Sequence, residues 1–146
     1  MLKDVVIHIT SIQNYQQEDE DRIEFTTDGH YYYEEGAGCL SYLETEVTGL
    51  EGTRTSLIIM PEQIVVDRDG LITSRMIFKE GEKSSFLYST PFGDATVGVD
   101  TRKVRQSMDE NGGSAEIDYV LDLEHAVVSW NRFLITVKEI GEQTNG

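Results

Sequence analysis

Ser114-Ala115-Glu116-Ile117-Asp118-Tyr119-Val120-Leu121-Asp122-Leu123-Glu124 decides the fold. Ile117, Tyr119, Leu121 and Leu123 fall on one side of an extended chain, and Glu116, Asp118, Asp122 and Glu124 on the other. Side chains alternate along a strand, so a slip of one residue would carry all these carboxylates inward. The register is firmly set, and the apolar side predicts the interior.

The same period recurs on either side of this run. Ile72, Ser74, Met76 and Phe78 share a face, as do Phe86, Tyr88 and Thr90, then Phe133, Ile135 and Val137. Val5, Ile7 and Ile9 do the same near the start. Turn signals separate the runs: Asp28-Gly29, Gly49-Leu50-Glu51-Gly52, Asp69-Gly70, Glu80-Gly81-Glu82, Pro91-Phe92-Gly93 and Asn111-Gly112-Gly113. Asp-Gly suits the positive φ of two-residue hairpins, so Ile23–Thr26 and His30–Glu35 are expected to pair about Asp28-Gly29. Gln16 to Asp21 reads as a charged loop. Further strands are expected over Cys39–Val47, Thr53–Met60, Gln63–Arg68, Leu71–Phe78, Ser84–Thr90, Asp94–Arg102, Ser114–Leu123 and Arg132–Lys138. Only Thr101–Met108 leaves room for a short helix. The count is about ten strands, an all-β antiparallel domain that hides its edges by closing into a barrel or sandwich.

With 146 residues the chain reads as one domain over its whole length, able to bury about two thirds of its unfolded surface without disulfides. Asp and Glu number 27 against 12 Lys and Arg, a net charge of −15. Such a surface repels phosphate backbones and anionic membranes, which argues against nucleic acid or membrane as partner. The one basic run, Arg102-Lys103-Val104-Arg105, reads as a solvated edge-strand face. Cys39 is the single cysteine, so no internal disulfide forms. The N-terminus alternates like a strand rather than a signal peptide, and no segment reaches the length of a membrane helix, so the expected location is cytoplasmic.

The motifs of common catalytic chemistries are missing. There is no Gly-x-Ser-x-Gly, no P-loop and no Cys-x-x-Cys, and Gly36-Ala37-Gly38 opens a strand rather than a helix. His8, His30 and His125 are far apart and form no His-x-His pair, so neither metal nor cofactor is expected. Glu18-Asp19-Glu20-Asp21 lacks the spacing and turn glycine of a calcium loop and reads as solvated. Cys39 reads as a small buried hydrophobe.

Arg68 stands out. It shares parity with Ile64 and Val66, so it faces inward if they do, and an inward guanidinium needs a partner, with Glu44 or Glu34 as candidates. The bland alternative is an Arg68 that snorkels to water at the rim. Tyr88 and Tyr119 each bring an apolar body and a hydroxyl, suited to a filled core or a cavity wall.

Tyr42-Leu43-Glu44-Thr45, Thr48-Gly49-Leu50-Glu51-Gly52-Thr53, Arg68-Asp69-Gly70, Arg75-Met76-Ile77-Phe78, Tyr88-Ser89-Thr90-Pro91-Phe92-Gly93, Tyr119-Val120-Leu121 and Ser129-Trp130-Asn131 occur in this order. Together they resemble the YwiB-like family of uncharacterised bacterial proteins over nearly the whole chain. The resemblance implies a single closed antiparallel calycin- or lipocalin-like barrel of about eight to ten strands, a size that holds filled side chains or one small ligand. It implies no activity.

Three functions follow as expectations. The first is a barrel that binds a small apolar or amphipathic molecule, walled by Met76, Phe78, Phe86, Tyr88 and Tyr119, with Arg68 anchoring an anionic group near the rim. The second is a filled barrel whose outer face binds a protein partner, where the acidic surface and the Tyr31-Tyr32-Tyr33 run, necessarily split between the two faces of its strand, would matter more than the interior. The third is a cofactor-free enzyme using Arg68, Tyr88 or Glu44, the least expected because no constellation of residues demands it.

Overall fold

The computed structural model describes residues 2–15, 20–124 and 126–140. Ten strands follow one another: β1 (Lys3–Tyr15), β2 (Glu20–Glu34), β3 (Ala37–Leu43), β4 (Arg54–Ile59), β5 (Gln63–Asp69), β6 (Ser74–Lys79), β7 (Lys83–Thr90), β8 (Gly93–Asp109), β9 (Gly112–Leu123) and β10 (Ala126–Glu139). They form one antiparallel sheet in the order β6-β5-β4-β3-β2-β1-β10-β9-β8-β7. Sequence neighbours pair up to β6 and again from β7 onward, and β1 pairs with β10 to bring the first and last strands together. Only β6 and β7 lack a ladder. There Thr73 and Ser89 exchange two backbone hydrogen bonds of 3.0 Å, and the Ser84 hydroxyl donates to the Ile77 carbonyl at 3.3 Å. The result is a nearly closed up-and-down barrel.

Its wall has two heights. β1, β2, β8, β9 and β10 run for 13, 15, 17, 12 and 14 residues, whereas β3 to β7 run for 7, 6, 7, 6 and 8. The lower end carries the β2–β3, β4–β5, β6–β7 and β8–β9 turns and is filled. Val5, Ile7, Tyr31, Leu40, Leu57, Ile59, Ile64, Val99, Ile117, Ile135 and Val137 are all 2% exposed or less there. Tyr31 satisfies its hydroxyl by donating to the Asp109 carbonyl at 2.6 Å. Burial, followed by the Asp109 charge, pushes that phenol up to about 12.

The expected facing holds for β1, β6, β9 and β10, and the element count is right, but several boundaries move. Asp28-Gly29 is not a turn: both residues lie inside β2 and pair with Val6 and Val5. The chain reverses instead at Glu35-Gly36. Gly29 is required by a close approach, since a Cβ there would stand 2.5 Å from both Ile7 Cδ1 and the Ser41 carbonyl oxygen. An in-strand glycine marks such a point as readily as a turn. Below Gly29 strand β2 pairs with β3, and above it the two part company. Thr101–Met108 is strand, with a bulge between Thr101 and Lys103 in the ladder to β9. β3 stops at Leu43 and β10 begins as early as Ala126. Glu20 and Asp21 belong to β2 rather than to a loop. Glu18 and Asp19 of the weighed calcium site, and His125, lie outside the described residues.

Candidate functional site

The inward residues of the short wall stack in three rows. Gly38, Ile59, Ile64 and Phe78 lie directly across from one another on β3, β4, β5 and β6, and two residues higher come Leu40, Leu57, Val66 and Met76. Both rows are apolar and close the lower barrel. The third row is Tyr42, Thr55, Arg68 and Ser74. Alternation alone delivers this belt, because each member sits two positions from a core residue of its own strand.

Above and beside the belt the barrel is hollow. A cavity of about 480 Å³ lies between it and the tall wall, within the size range of small-molecule sites. Ile9, Ile23, Phe25, Val97, Leu121 and Phe133 line the tall side, and Thr48 and Leu50 of the β3–β4 loop reach over the short one.

The belt's charges are internal. Glu44 continues β3, its amide donating to the Thr53 carbonyl at 2.8 Å, and its side chain is 2% exposed. The Thr55 hydroxyl donates to one carboxylate oxygen and the Thr48 hydroxyl to the other at 3.0 Å. Arg68 Nε stands 3.8 Å from Glu44 Oε2, an ion pair without a hydrogen bond. Arg68 Nε and Ser74 Oγ are buried, and neither has a hydrogen-bond partner among the described residues. Burial, then the Glu44 charge, pushes the Tyr42 phenol up, against the opposing pull of Arg68. Burial pushes Tyr119 up in the same way. Both hydroxyls therefore stay protonated at neutral pH.

Of the residues singled out by sequence, Arg68, Met76, Phe86, Tyr88 and Tyr119 line the cavity. Phe78 lies below it, 2% exposed, with its ring centroid 4.7 Å from that of Tyr119. Arg68 faces inward beside Glu44, so the guanidinium expected to anchor an anion already has a carboxylate at hand. Glu34 is exposed. Sequence reasoning left the facing of Glu44 open and passed over Tyr42, Thr48 and Thr55. The signal was available in Leu40-Tyr42-Glu44 and Thr55-Leu57-Ile59, each a run of alternate residues continuing a core face.

The other candidates disperse. Tyr31 is in the core, Tyr33 packs against it, and Tyr32 alone is exposed, at 38%. The three consecutive tyrosines split between the two faces of β2, as strand alternation requires. His8 contacts Thr26 at 3.0 Å and Glu24 at 2.9 Å on the outer wall, and His30 pairs with Asp4 at 3.1 Å. Cys39 is half-buried on the outer side of β3. Among the described residues no three His, Cys, Asp or Glu side chains gather as a metal site.

Comparison with known proteins agrees with this architecture. The chain is 25% identical over 115 residues, 79% of each sequence, to the uncharacterized beta-barrel protein YwiB of Bacillus subtilis (strain 168). It superposes on the crystal structure of the B. subtilis ywiB protein with a TM-score of 0.84 and 22% identity, covering 94% of this chain and 92% of the other. Residues 7–135 match the family described as a domain of unknown function, DUF1934. An all-antiparallel barrel, a homologous barrel protein and a family match across most of the sequence lead to one conclusion: this chain belongs to the DUF1934 family.

Proposed function

We propose that this protein binds a small amphipathic molecule in the upper half of its barrel. The observation that carries the reading is the cavity of about 480 Å³, whose tall side is mostly apolar, with Ser11 and Gln13 of β1 its polar members, and whose short side ends in a belt holding two polar atoms unpartnered among the described residues. Filling the upper barrel with side chains would have stabilised it by about 25 cal/mol for each Å² of apolar surface removed from water. Instead the short strands end one row above their apolar layers, and the space stays open. A mostly apolar pocket with a few convergent polar groups is the usual form of a small-molecule site.

Binding fits the polar groups better than chemistry does. The Glu44 carboxylate accepts from the Thr48 and Thr55 hydroxyls and faces Arg68, so it is held in place rather than poised as a free base. Native mass spectrometry of the purified protein tests the reading. The expected result is a non-covalent adduct that leaves on denaturation, or one that forms on incubation with an uncharged amphiphile such as decanamide. A protein that stays at its bare mass in both experiments overturns the proposal.

A further inference from the structure

We infer that the molecule held in this cavity is uncharged and presents an acceptor oxygen, such as a carbonyl, to Arg68 and Ser74. The inference rests on the binding reading above and adds the chemistry of the bound head group.

Two observations carry it. Arg68 and Ser74 are direct cross-strand neighbours on β5 and β6. Arg68 Nε and Ser74 Oγ are both buried without a partner among the described residues, and Ser74 is only 7% exposed. A buried donor left unpaired is costly, so the pair marks a position where a further group belongs. Arginine donates and never accepts, while a serine hydroxyl does either. The one kind of atom that satisfies both is an acceptor.

The second observation is the charge count. Among the described side chains lining the cavity, Glu44 and Arg68 are the one acid and the one base, and their formal charges are opposite. The two threonine hydroxyls hold the Glu44 carboxylate where it is, so it cannot withdraw to make room for a second anion. An ionised ligand would bring an uncompensated charge between mostly apolar walls, where charge is expensive. An anion would also enter against the field of a chain with net charge −15. Glu44 is thus a positioning residue. By neutralising Arg68 it leaves the guanidinium as a hydrogen-bond donor with no net charge to offer an anion.

The test compares decanamide with decanoate, molecules of the same chain length that differ in charge, by isothermal titration calorimetry at neutral pH. For the wild type the expected result is decanamide binding about tenfold or more tighter. Glu44→Gln removes the neutralising charge, so decanoate should gain about tenfold or more and the preference should fall or reverse. A lost packing contact would weaken both probes together and would not change their order. Ser74→Ala should weaken decanamide several-fold while leaving the urea midpoint unchanged or raised, which keeps the test open if Glu44→Gln does not fold. A wild type that binds decanoate as tightly as decanamide overturns the neutral-ligand claim and leaves the cavity reading standing. A Ser74→Ala protein with unaltered decanamide affinity overturns the placing of the acceptor oxygen at Arg68 and Ser74 and likewise leaves the cavity reading standing. A wild type that binds neither probe overturns the head-group claim, and the cavity reading falls with it if the native mass spectrum shows the bare protein alone.

Discussion

Two neighbouring rows of the short wall have opposite fates. Leu40, Leu57 and Val66 interlock with residues from the tall wall and Met76 ends their row at the cavity floor, while Tyr42, Arg68 and Ser74, one row higher, line the cavity, with Thr55 buried among them. The backbone that presents them is the same, and only the side chains change. The lower half is built as a core, with polar atoms either absent or satisfied, as in Tyr31 to Asp109. The upper half keeps polar groups partly unsatisfied next to apolar surface. Stability should therefore reside below the belt and binding at or above it.

The contrast is broken or sharpened by six substitutions. Truncating the filled half should cost most: Ile59→Ala, at a fully buried site, should lower unfolding stability by about 2–5 kcal/mol. Leu121→Ala, on the half-buried cavity wall, should lower it by less than about 2 kcal/mol. Urea titrations of the two variants side by side give the comparison, and equal losses would mean the two halves are packed alike.

Gly29→Ala comes next. Its Cβ would force the Ser41 carbonyl and Ile7 apart at the point where β2 and β3 diverge, at a cost of about 1–3 kcal/mol. A Cβ at Gly36 meets nothing within 4 Å, so Gly36→Ala should cost only the strain of its φ of 83°, about 1 kcal/mol. Thermal melts of both variants should rank them in that order.

Tyr31→Phe should cost about 1–2 kcal/mol by orphaning the Asp109 carbonyl. It should also change the alkaline behaviour. The folded state holds this phenol at about 12 against 10.0 in the unfolded chain, so the unfolded chain releases the proton first. The contribution is intact below pH 10 and is lost as pH rises towards 12. Tyr42 and Tyr119 are shifted in the same direction and add to the loss. Unfolding midpoints measured between pH 10 and 12 should fall more gently in Tyr31→Phe than in the wild type.

Ser74→Ala should have the smallest effect, between neutral and a gain of about 1 kcal/mol, since it removes a buried hydroxyl that has no partner among the described residues. A clear loss of stability would mean that this hydroxyl is satisfied within the protein.

Much of this molecule is legible in its sequence because alternation is a local signal. Ser114–Glu124 and Ser74–Phe78 reveal their facing without reference to any other strand. Parity with Ile64 and Val66 raised an inward Arg68 but did not decide it against a guanidinium at the rim, because the end of β5 is not a local signal. Gly29 was misread because Asp-Gly carries the same local chemistry in a hairpin turn as at a pinch between strands, and only the neighbours Ile7 and Ser41 distinguish the two. The belt was illegible as a unit because its members come from four strands and meet through register, which depends on loop lengths. The difference in wall height was hidden too. Leu71 to Thr73 alternate well enough to pass for strand, yet β6 begins only at Ser74.

The central claim is that the upper half is a binding cavity and the lower half a closed core. It is tested most directly by methyl resonances of isotopically labelled protein titrated with decanamide. Ile9, Ile23, Met76, Val97 and Leu121 line the cavity and should shift, while Ile59, Ile64, Val99 and Ile135 in the filled half should stay in place. Shifts confined to the lower core or to outward residues such as Val127, or no shifts at all, would contradict the account.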